Sequence, residues 1–220
     1  QPSAVEFVGN ILVADIGLPE EFIRGIKSNV ELITVDDLAG LFRRRNRNSH
    51  KGAYGHVLVI GGAPGFAGAP AMAAGAALKA GAGLVSVLVP AGVMPITASF
   101  FPEVMVHPAS QTKSGTLAAD CLRKWGKNLD VFDAILVGPG MTACRETKKI
   151  VEAVVASARG VVIADADALN VMAGNPAAFK RRLGGTILTP HPGEMARLLD
   201  ADVKTVQKDR FACARKAAGA

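Results

Sequence analysis

The sequence is short of several residue types, and each shortage excludes something. Only three cysteines occur among 220 residues. Cys121, Cys144 and Cys213 are odd in number, widely spaced and without a CxxC or histidine-rich neighbour, which argues against a disulfide framework and against a zinc site. They read as idle thiols in a reducing, cytoplasmic setting. Aromatic residues make up 5% of the chain, with one tryptophan and one tyrosine, so the core has to be built from aliphatic and small side chains. No clean run of about 20 apolar residues is present. The richest stretch, 57–106, is broken by glycines, prolines and Lys79, and no membrane span is expected. Gln1 stands where an initiator methionine would, and no basic segment followed by an apolar one opens the chain. A signal peptide is therefore not expected, and the sequence reads as starting inside a longer one.

Half of the residues are apolar and the mean hydropathy is +0.28, which excludes wholesale disorder. The 24 glycines exceed the usual share of about 7%, so backbone is expected to pack close to backbone. The net charge is +6, but most of the excess sits in one segment, 43–51 (RRRNRNSHK), which carries Arg43, Arg44, Arg45, Arg47 and Lys51 and no acid. Without interleaved aromatics that run reads as a solvated linker, and nucleic acid is not the expected partner.

Two kinds of pattern follow one another along the chain. The opening part holds one short apolar run, Ile11 to Ala14, read as a buried strand closed by Asp15, Gly17 and Pro19. Residues 24–50 are poorer in apolar side chains, with a linker helix signalled by Thr34 and Asp36 ahead of Leu38, Leu41 and Phe42. From His56 onward, apolar runs alternate with helical patterns. The expected strands are 56–60, 84–89, 134–137, 161–165 and 186–189, and the expected helices 69–80, 116–127, 143–158, 176–183, 193–199 and 205–218. This alternation predicts an α/β fold, an open and mostly parallel sheet with helices on both faces, whose ligands gather at the carboxyl ends of the strands.

Four strand ends carry polar or glycine-rich sequence. Ten of the 24 glycines lie between residues 52 and 92. The first strand runs directly into Gly61, Gly62, Gly65 and Gly68 and then into a helix opened by Ala69 and Pro70. Successive amides there, with a helix N-terminus behind them, suit a phosphate. Neither GxxxxGK[ST] nor GxGxxG with a distal acid is present, so neither familiar nucleotide loop applies. Gly138-Pro139-Gly140 follows the third expected strand. The fourth ends at Asp165-Ala166-Asp167-Ala168-Leu169-Asn170, where either aspartate could also be a helix cap. The fifth ends at Thr189-Pro190-His191-Pro192-Gly193-Glu194. Their convergence on one sheet edge predicts a nucleotide-handling pocket.

In order and spacing, KGxxGxVLVIGG with GxxGAP, the GPG turn at 138–140, DADALN at 165–170 and TPHPGEMARLL at 189–199 resemble the NAD(P)H-hydrate dehydratase family, which has a ribokinase-like fold. The resemblance covers about residues 50–220. The stretch VGNILVADIGLP resembles the last strand of the NAD(P)H-hydrate epimerase domain that precedes the dehydratase in bifunctional bacterial proteins. It implies an organisation of 1–30 as the end of an epimerase-like domain, 31–50 as linker helix and basic run, and 51–220 as part of a dehydratase domain.

The resemblance further implies ADP or ATP as phosphoryl donor with Mg2+, hydrated NADH or NADPH as substrate, and a homo-oligomer. Ala69, Gly140 and His191 stand at positions that in the family contact the hydrated dinucleotide. Glu194 is similar to the acidic residue that orders magnesium-bound water, with Asp165 and Asp167 in the same polar cluster and Gly62, Gly65 and Gly68 as the phosphate loop. Lys51 and Gly52 open the first motif in a structural role. The family's catalytic aspartate belongs to a GTGD motif that these 220 residues do not contain, which makes turnover by this chain alone unexpected. The rival expectations are a ribokinase-like kinase of a thiazole or pyrimidine alcohol, and a non-catalytic binding module.

Overall fold

The computed structural model describes residues 7–10, 12, 14–27, 30–42, 44–124, 129–180, 182 and 184–219. The chain divides into two compact units, Gln1–Arg47 and Asn48–Ala220.

The described residues of the first unit include two short helices, α1 (Glu20–Gly25) and α2 (Val35–Ala39). Thr34 starts α2 by a capping box in which its backbone amide and hydroxyl both donate to Asp37 Oδ2 at 2.7 Å, so the acid that answers Thr34 is Asp37 rather than Asp36. Among residues 7–23 and 25–42 every described one is exposed, Leu12 at 90% and Leu32 at 86% among them. Of the expected strand at 11–14, Ile11 and Val13 lie outside the described residues, while Leu12 and Ala14 are exposed and in no strand. Arg43 of the basic run also lies outside them.

The second unit is built on six parallel strands: β1 (His56–Ile60), β2 (Leu84–Pro90), β3 (Met105–Ala109), β4 (Ala134–Val137), β5 (Val161–Ala164) and β6 (Thr186–Leu188), in the spatial order β3-β2-β1-β4-β5-β6. Strand side chains alternate between two cores. Leu58 and Ile60 of β1 join Leu88, Ile135, Val137 and helix α5 (Arg145–Ser157) on one face. Val59 joins Val85, Val87 and Val89 on the other, beneath helix α3 (Gly68–Ala80). Strands buried on both faces carry apolar residues at nearly every position, which is why β1 and β2, His56 and Ser86 apart, read as continuous runs rather than as alternations. Helix α3 has few large side chains to bury. It packs through Ala71, Ala74 and Gly75, and a Cβ at Gly75 would fall 2.4 Å from the Phe101 ring. Glycine in mid-helix here is a packing requirement. Helix α4 (Met94–Ala98) follows β2.

Three expectations are corrected. MVHPA at 105–109 is a strand although it contains Pro108; β3 is the edge of the sheet, where a missing amide is tolerated. The segment expected as a helix at 116–127 is instead the returning arm of a small hairpin, with Gln111 bridged to Leu117, followed by a 3-10 turn at Cys121–Lys124; 125–128 lie outside the described residues. The helix expected at 205–218 is two, α9 (Val203–Lys208) and α10 (Arg210–Gly219), divided at Asp209. Helix α6 (Asp167–Met172) lies where the sequence reading placed no helix, while α7 (Ala177–Lys180) and α8 (Pro192–Leu199) stand within the expected ranges or within one residue of them. No helix of the described residues is long and apolar enough to cross a membrane. Cys121, Cys144 and Cys213 are free, and burial pushes the Cys121 thiol up to about 12, which keeps it protonated and unreactive.

Polar side chains cross one face of the sheet. His56 Nε2 lies 3.0 Å from the hydroxyl of Ser86, which is 2% exposed, and His107 Nε2 lies 3.2 Å from the same hydroxyl. The His56 ring meets Phe132 edge-on, with centroids 4.6 Å apart. Burial holds the His56 pKa below its ordinary 6.5, against the opposing pull of Asp133. The unfolded chain therefore binds more protons than the folded one just below that pH, and stability falls as the pH drops from 6.5 through the depressed folded value. Thermal melts across that window should show a steeper decline for the wild type than for His56→Gln; parallel profiles would remove His56 as the source.

Candidate functional site

The strand order reverses beside β1. The chain builds outward through β2 and β3, then returns to the opposite side of β1 with β4, β5 and β6. Loops leaving the carboxyl ends of β1 and β4 consequently diverge, and the crevice between them is where an open parallel sheet receives its ligands.

Backbone closes that crevice from below. Gly138 N donates to Ile60 O at 3.1 Å, and Gly62 N to Pro139 O at 2.9 Å. Gly138 has φ +125°, and a Cβ there would sit 1.8 Å from Asp165 O. Gly140 has φ +67°, and a Cβ there would sit 2.8 Å from Phe66 Cβ and 3.5 Å from the Ala69 methyl. The turn after β4 is thus pressed against the β1 loop on one side and the β5 turn on the other. Ala69 and Gly140, far apart in sequence, meet across the switch point. Small residues here leave backbone as the surface a ligand would touch.

The glycines of the β1 loop divide into two kinds. Gly62 is buried against Val89, Pro70 and Val93 with its amide given to Pro139. This withdraws it from the expected phosphate loop, because the amide has no free hydrogen to offer. Gly65 and Gly68 face open space. No side chain caps α3 at its N-cap residue Ala67, so the first amides of that 13-residue helix keep their partial positive charge for an anion.

Asp165 and Asp167 act between strands rather than as caps. Ala166, with φ +49°, is the N-cap of α6 and supplies no side-chain bond. Asp165 Oδ1 accepts from the Thr189 hydroxyl at 2.7 Å, tying the β5 turn to the β6 turn. Asp167 Oδ2 accepts from Thr142 N at 2.9 Å, and its Oδ1 from Asn170 Nδ2 at 3.3 Å. Asn170 Oδ1 in turn accepts from Arg197 at 2.7 Å. Thr142 has φ +68°, a strained conformation for a β-branched residue, held from the other side by the Thr147 hydroxyl donating to Thr142 O at 2.7 Å. Arg197 and the strain at Thr142 escaped the sequence reading. Arg197 stands three residues beyond Glu194 on the same helix, the only hint the sequence offers.

His191 is the N-cap of α8. Its Nδ1 accepts from Gly193 N at 3.0 Å, which requires the proton on Nε2, and Nε2 lies 3.1 Å from Glu194 Oε1. His191 N donates to Glu194 Oε2 at 2.9 Å. The Glu194 carboxylate, 6% exposed against 62% for the imidazole, has both oxygens engaged by His191. With both ring nitrogens occupied, the His191 ring offers a ligand its flat face. Lys51 belongs to a 3-10 turn, Lys51–Tyr54, whose backbone packs against Gly83, in keeping with a structural role.

The fold and this edge define an α/β protein of the ribokinase-like type. A ribokinase-like superfamily protein of Enterococcus faecalis superposes with a TM-score of 0.68 at 22% identity, over 87% of this chain and 65% of that one, which speaks for the fold. The ADP/ATP-dependent NAD(P)H-hydrate dehydratase of Bacillus subtilis, crystallised with ATP and Mg2+, superposes with a TM-score of 0.67 at 30% identity, over 84% of this chain and 61% of that one. Residues 57–220 match the sequence profile described as NAD(P)H-hydrate dehydratase, and the chain belongs to that family. The bifunctional NAD(P)H-hydrate repair enzymes of Moorella thermoacetica and Escherichia coli are 39% and 34% identical to it over 98% and 97% of its length. The chain spans only 41% and 38% of those relatives.

Two substitutions test this geometry. Gly138→Ala should lower the unfolding free energy by more than about 2 kcal/mol, from a disfavoured φ and the overlap with Asp165 O; a melt within a degree of wild type would contradict the close approach. His191→Ala should cost about 1 kcal/mol through the lost cap, and His191→Asn, which keeps an acceptor there, should recover most of it.

Proposed function

We propose that this chain carries the substrate-facing part of an ADP- or ATP-dependent NAD(P)H-hydrate dehydratase, with residues 1–30 as the end of an epimerase-like domain, 31–50 as a linker, and 51–220 within the dehydratase domain. The observation that carries the reading is the meeting of Ala69 and Gly140 at the switch point, in a chain whose residues 57–220 match the family. The bifunctional relatives align with nearly the whole chain, including its first unit. That unit's apolar side chains are exposed, as they would be at the end of a domain whose other elements are elsewhere.

In this reading the hydrated dinucleotide lies along bare backbone at Ala69 and Gly140, with the His191 ring face against it. The amides at Gly65 and Gly68 and the start of α3 meet phosphate. The nucleotide, when bound, supplies a phosphoryl group to the ring hydroxyl, converting a poor leaving group into phosphate, whose departure with loss of a ring proton restores the double bond. The protein's part is positioning and electrostatic stabilisation. Among the described residues no three His, Cys, Asp or Glu side chains gather to hold an ion. Magnesium keeps much of its water and rides on the phosphates, needing only one or two carboxylates. Asp165 and Asp167 would provide these, while Glu194 fixes His191 and uses its remaining lone pairs to order metal-bound water.

The test supplies hydrated NADH with ADP or ATP and follows the return of reduced-nicotinamide absorbance, beside direct binding of the hydrate. His191→Ala should weaken hydrate binding about five- to tenfold, as expected for the loss of a stacked ring worth about 1 to 1.4 kcal/mol. Phosphorylation of a thiazole or pyrimidine alcohol, with no binding of the hydrate, would favour the kinase reading instead.

A further inference from the structure

Thr142, just past the β4 turn, holds a conformation that its side chain disfavours. Its φ is +68°, and a β-branched side chain crowds its own backbone in that region. Both of its backbone groups are answered by side chains: the amide donates to Asp167 Oδ2 at 2.9 Å, and the carbonyl accepts from the Thr147 hydroxyl at 2.7 Å. We propose that Thr147 is a positioning residue for the reaction, whose hydroxyl keeps Thr142 in the left-handed region and thereby sets the Gly140 backbone that meets the hydrated dinucleotide. The assignment rests on the dehydratase reading and adds to it a side chain that never touches the substrate.

Thr147 lies in the first turn of α5 and is 1% exposed. A threonine in a helix ordinarily turns its hydroxyl to the carbonyl three or four residues back. Here the hydroxyl reaches past the start of the helix, to Thr142 O five residues back, with Met141 O farther off at 3.5 Å. The single hydroxyl hydrogen goes to the nearer carbonyl. Its lone pairs stay open, and Cys144 Sγ lies 3.3 Å from the same oxygen. Because the hydroxyl hydrogen is spent on Thr142, the thiol is the donor of that pair, and it fixes the direction in which the hydroxyl points. Buried this deeply, a hydroxyl is costly unless it is bonded, so the side chain is bound to the task of holding Thr142.

The brace acts two residues from the ligand surface. Met141 N donates to Gly138 O at 3.2 Å and closes the turn 138–141. Gly140, within that turn, is pressed against Phe66 and Ala69. Helix α5 is anchored by Ile150, Val151 and Val154, all fully buried, whereas the turn is anchored by Met141. A change of φ at Thr142 therefore displaces the turn rather than the helix, and carries Gly140 away from Ala69. A single anchor would leave Thr142 free to rotate about it. Asp167 at the amide and Thr147 at the carbonyl fix both dihedrals together.

Thr147→Val keeps the shape of the side chain and removes only the hydroxyl. Calorimetric titration with hydrated NADH should show about three- to tenfold weaker binding, the range for losing one neutral hydrogen bond that keeps the competent turn populated. Thr147→Ser should restore the affinity. Thr142→Gly makes the left-handed conformation nearly free of cost, so this variant alone should bind within about twofold of the wild type, and adding Thr147→Val to it should change the affinity by less than about twofold. A collapse of binding in Thr142→Gly, or a loss from Thr147→Val of equal size in both backgrounds, would overturn the proposal. So would a lower melting temperature for Thr147→Val with unchanged hydrate affinity, since the hydroxyl would then serve stability alone. If the wild type does not bind hydrated NADH, the dehydratase reading fails and the proposal with it. If the wild type binds and Thr147→Val binds equally well, only the positioning role is wrong.

Discussion

The carbonyl of Pro139 occupies the place where a side chain on Gly61 would have to be, 2.4 Å from its Cβ position, and most of the site follows from that contact. Because the β4 turn lies against the end of β1, it also lies against the β5 turn at Gly138, and Gly140 is carried onto Phe66 and Ala69. From Thr142 the restraint passes through Asp167 and Asn170 to Arg197 on α8, the helix that His191 caps. Three strand ends are thereby fixed to one another by backbone proximity and a short series of hydrogen bonds. A ligand surface made largely of backbone tolerates little substitution, since any added carbon either blocks the crevice or displaces a neighbouring strand end.

Much of this architecture is legible in the residues themselves. Runs such as HVLVI and AILV have no polar alternation because both of their faces are buried, and β1 and β4 fall where the pattern places them. Pro108 obscured β3, since a proline in an apolar run argues against a strand unless the run is known to lie at an edge, and edge position is a property of the whole sheet. Likewise the hairpin at 110–118 sets its Gly115 tip close to Pro64, an approach that no local pattern encodes. The site motifs were visible as strand ends, but their division of labour was not. Gly62 and Gly65 look alike in sequence and differ because one faces Val89 and Pro70 and the other faces open space. Asp167 has the spacing of a cap, yet its carboxylate turns to the neighbouring turn at Thr142. Glu194 reads as a residue that orders magnesium-bound water, and the structure adds a second task that the sequence did not show, since both of its oxygens also engage His191.

The two units differ in how they satisfy their apolar residues. In the second, both faces of the sheet are covered, and the largest side chains such as Leu58, Ile135 and Met172 are fully buried. In the first, Phe7, Leu12, Ile16 and Leu32 are exposed. The alignment of this segment with relatives named as bifunctional accords with its serving as a piece of a larger core.

The central position of β1 also sets the order in which the molecule can assemble. Its pairing with β2, and that of β2 with β3, joins segments close in sequence, whereas its pairing with β4 brings His56 to Asp133, 77 residues away. Closing so long a loop is entropically costly before any contact rewards it. The outward half of the sheet can therefore form early, while the crevice, which needs β4 in place, is among the last features to appear. On the way, β1 presents an unpaired and mostly apolar edge, the kind of surface that can pair with another chain before β4 arrives.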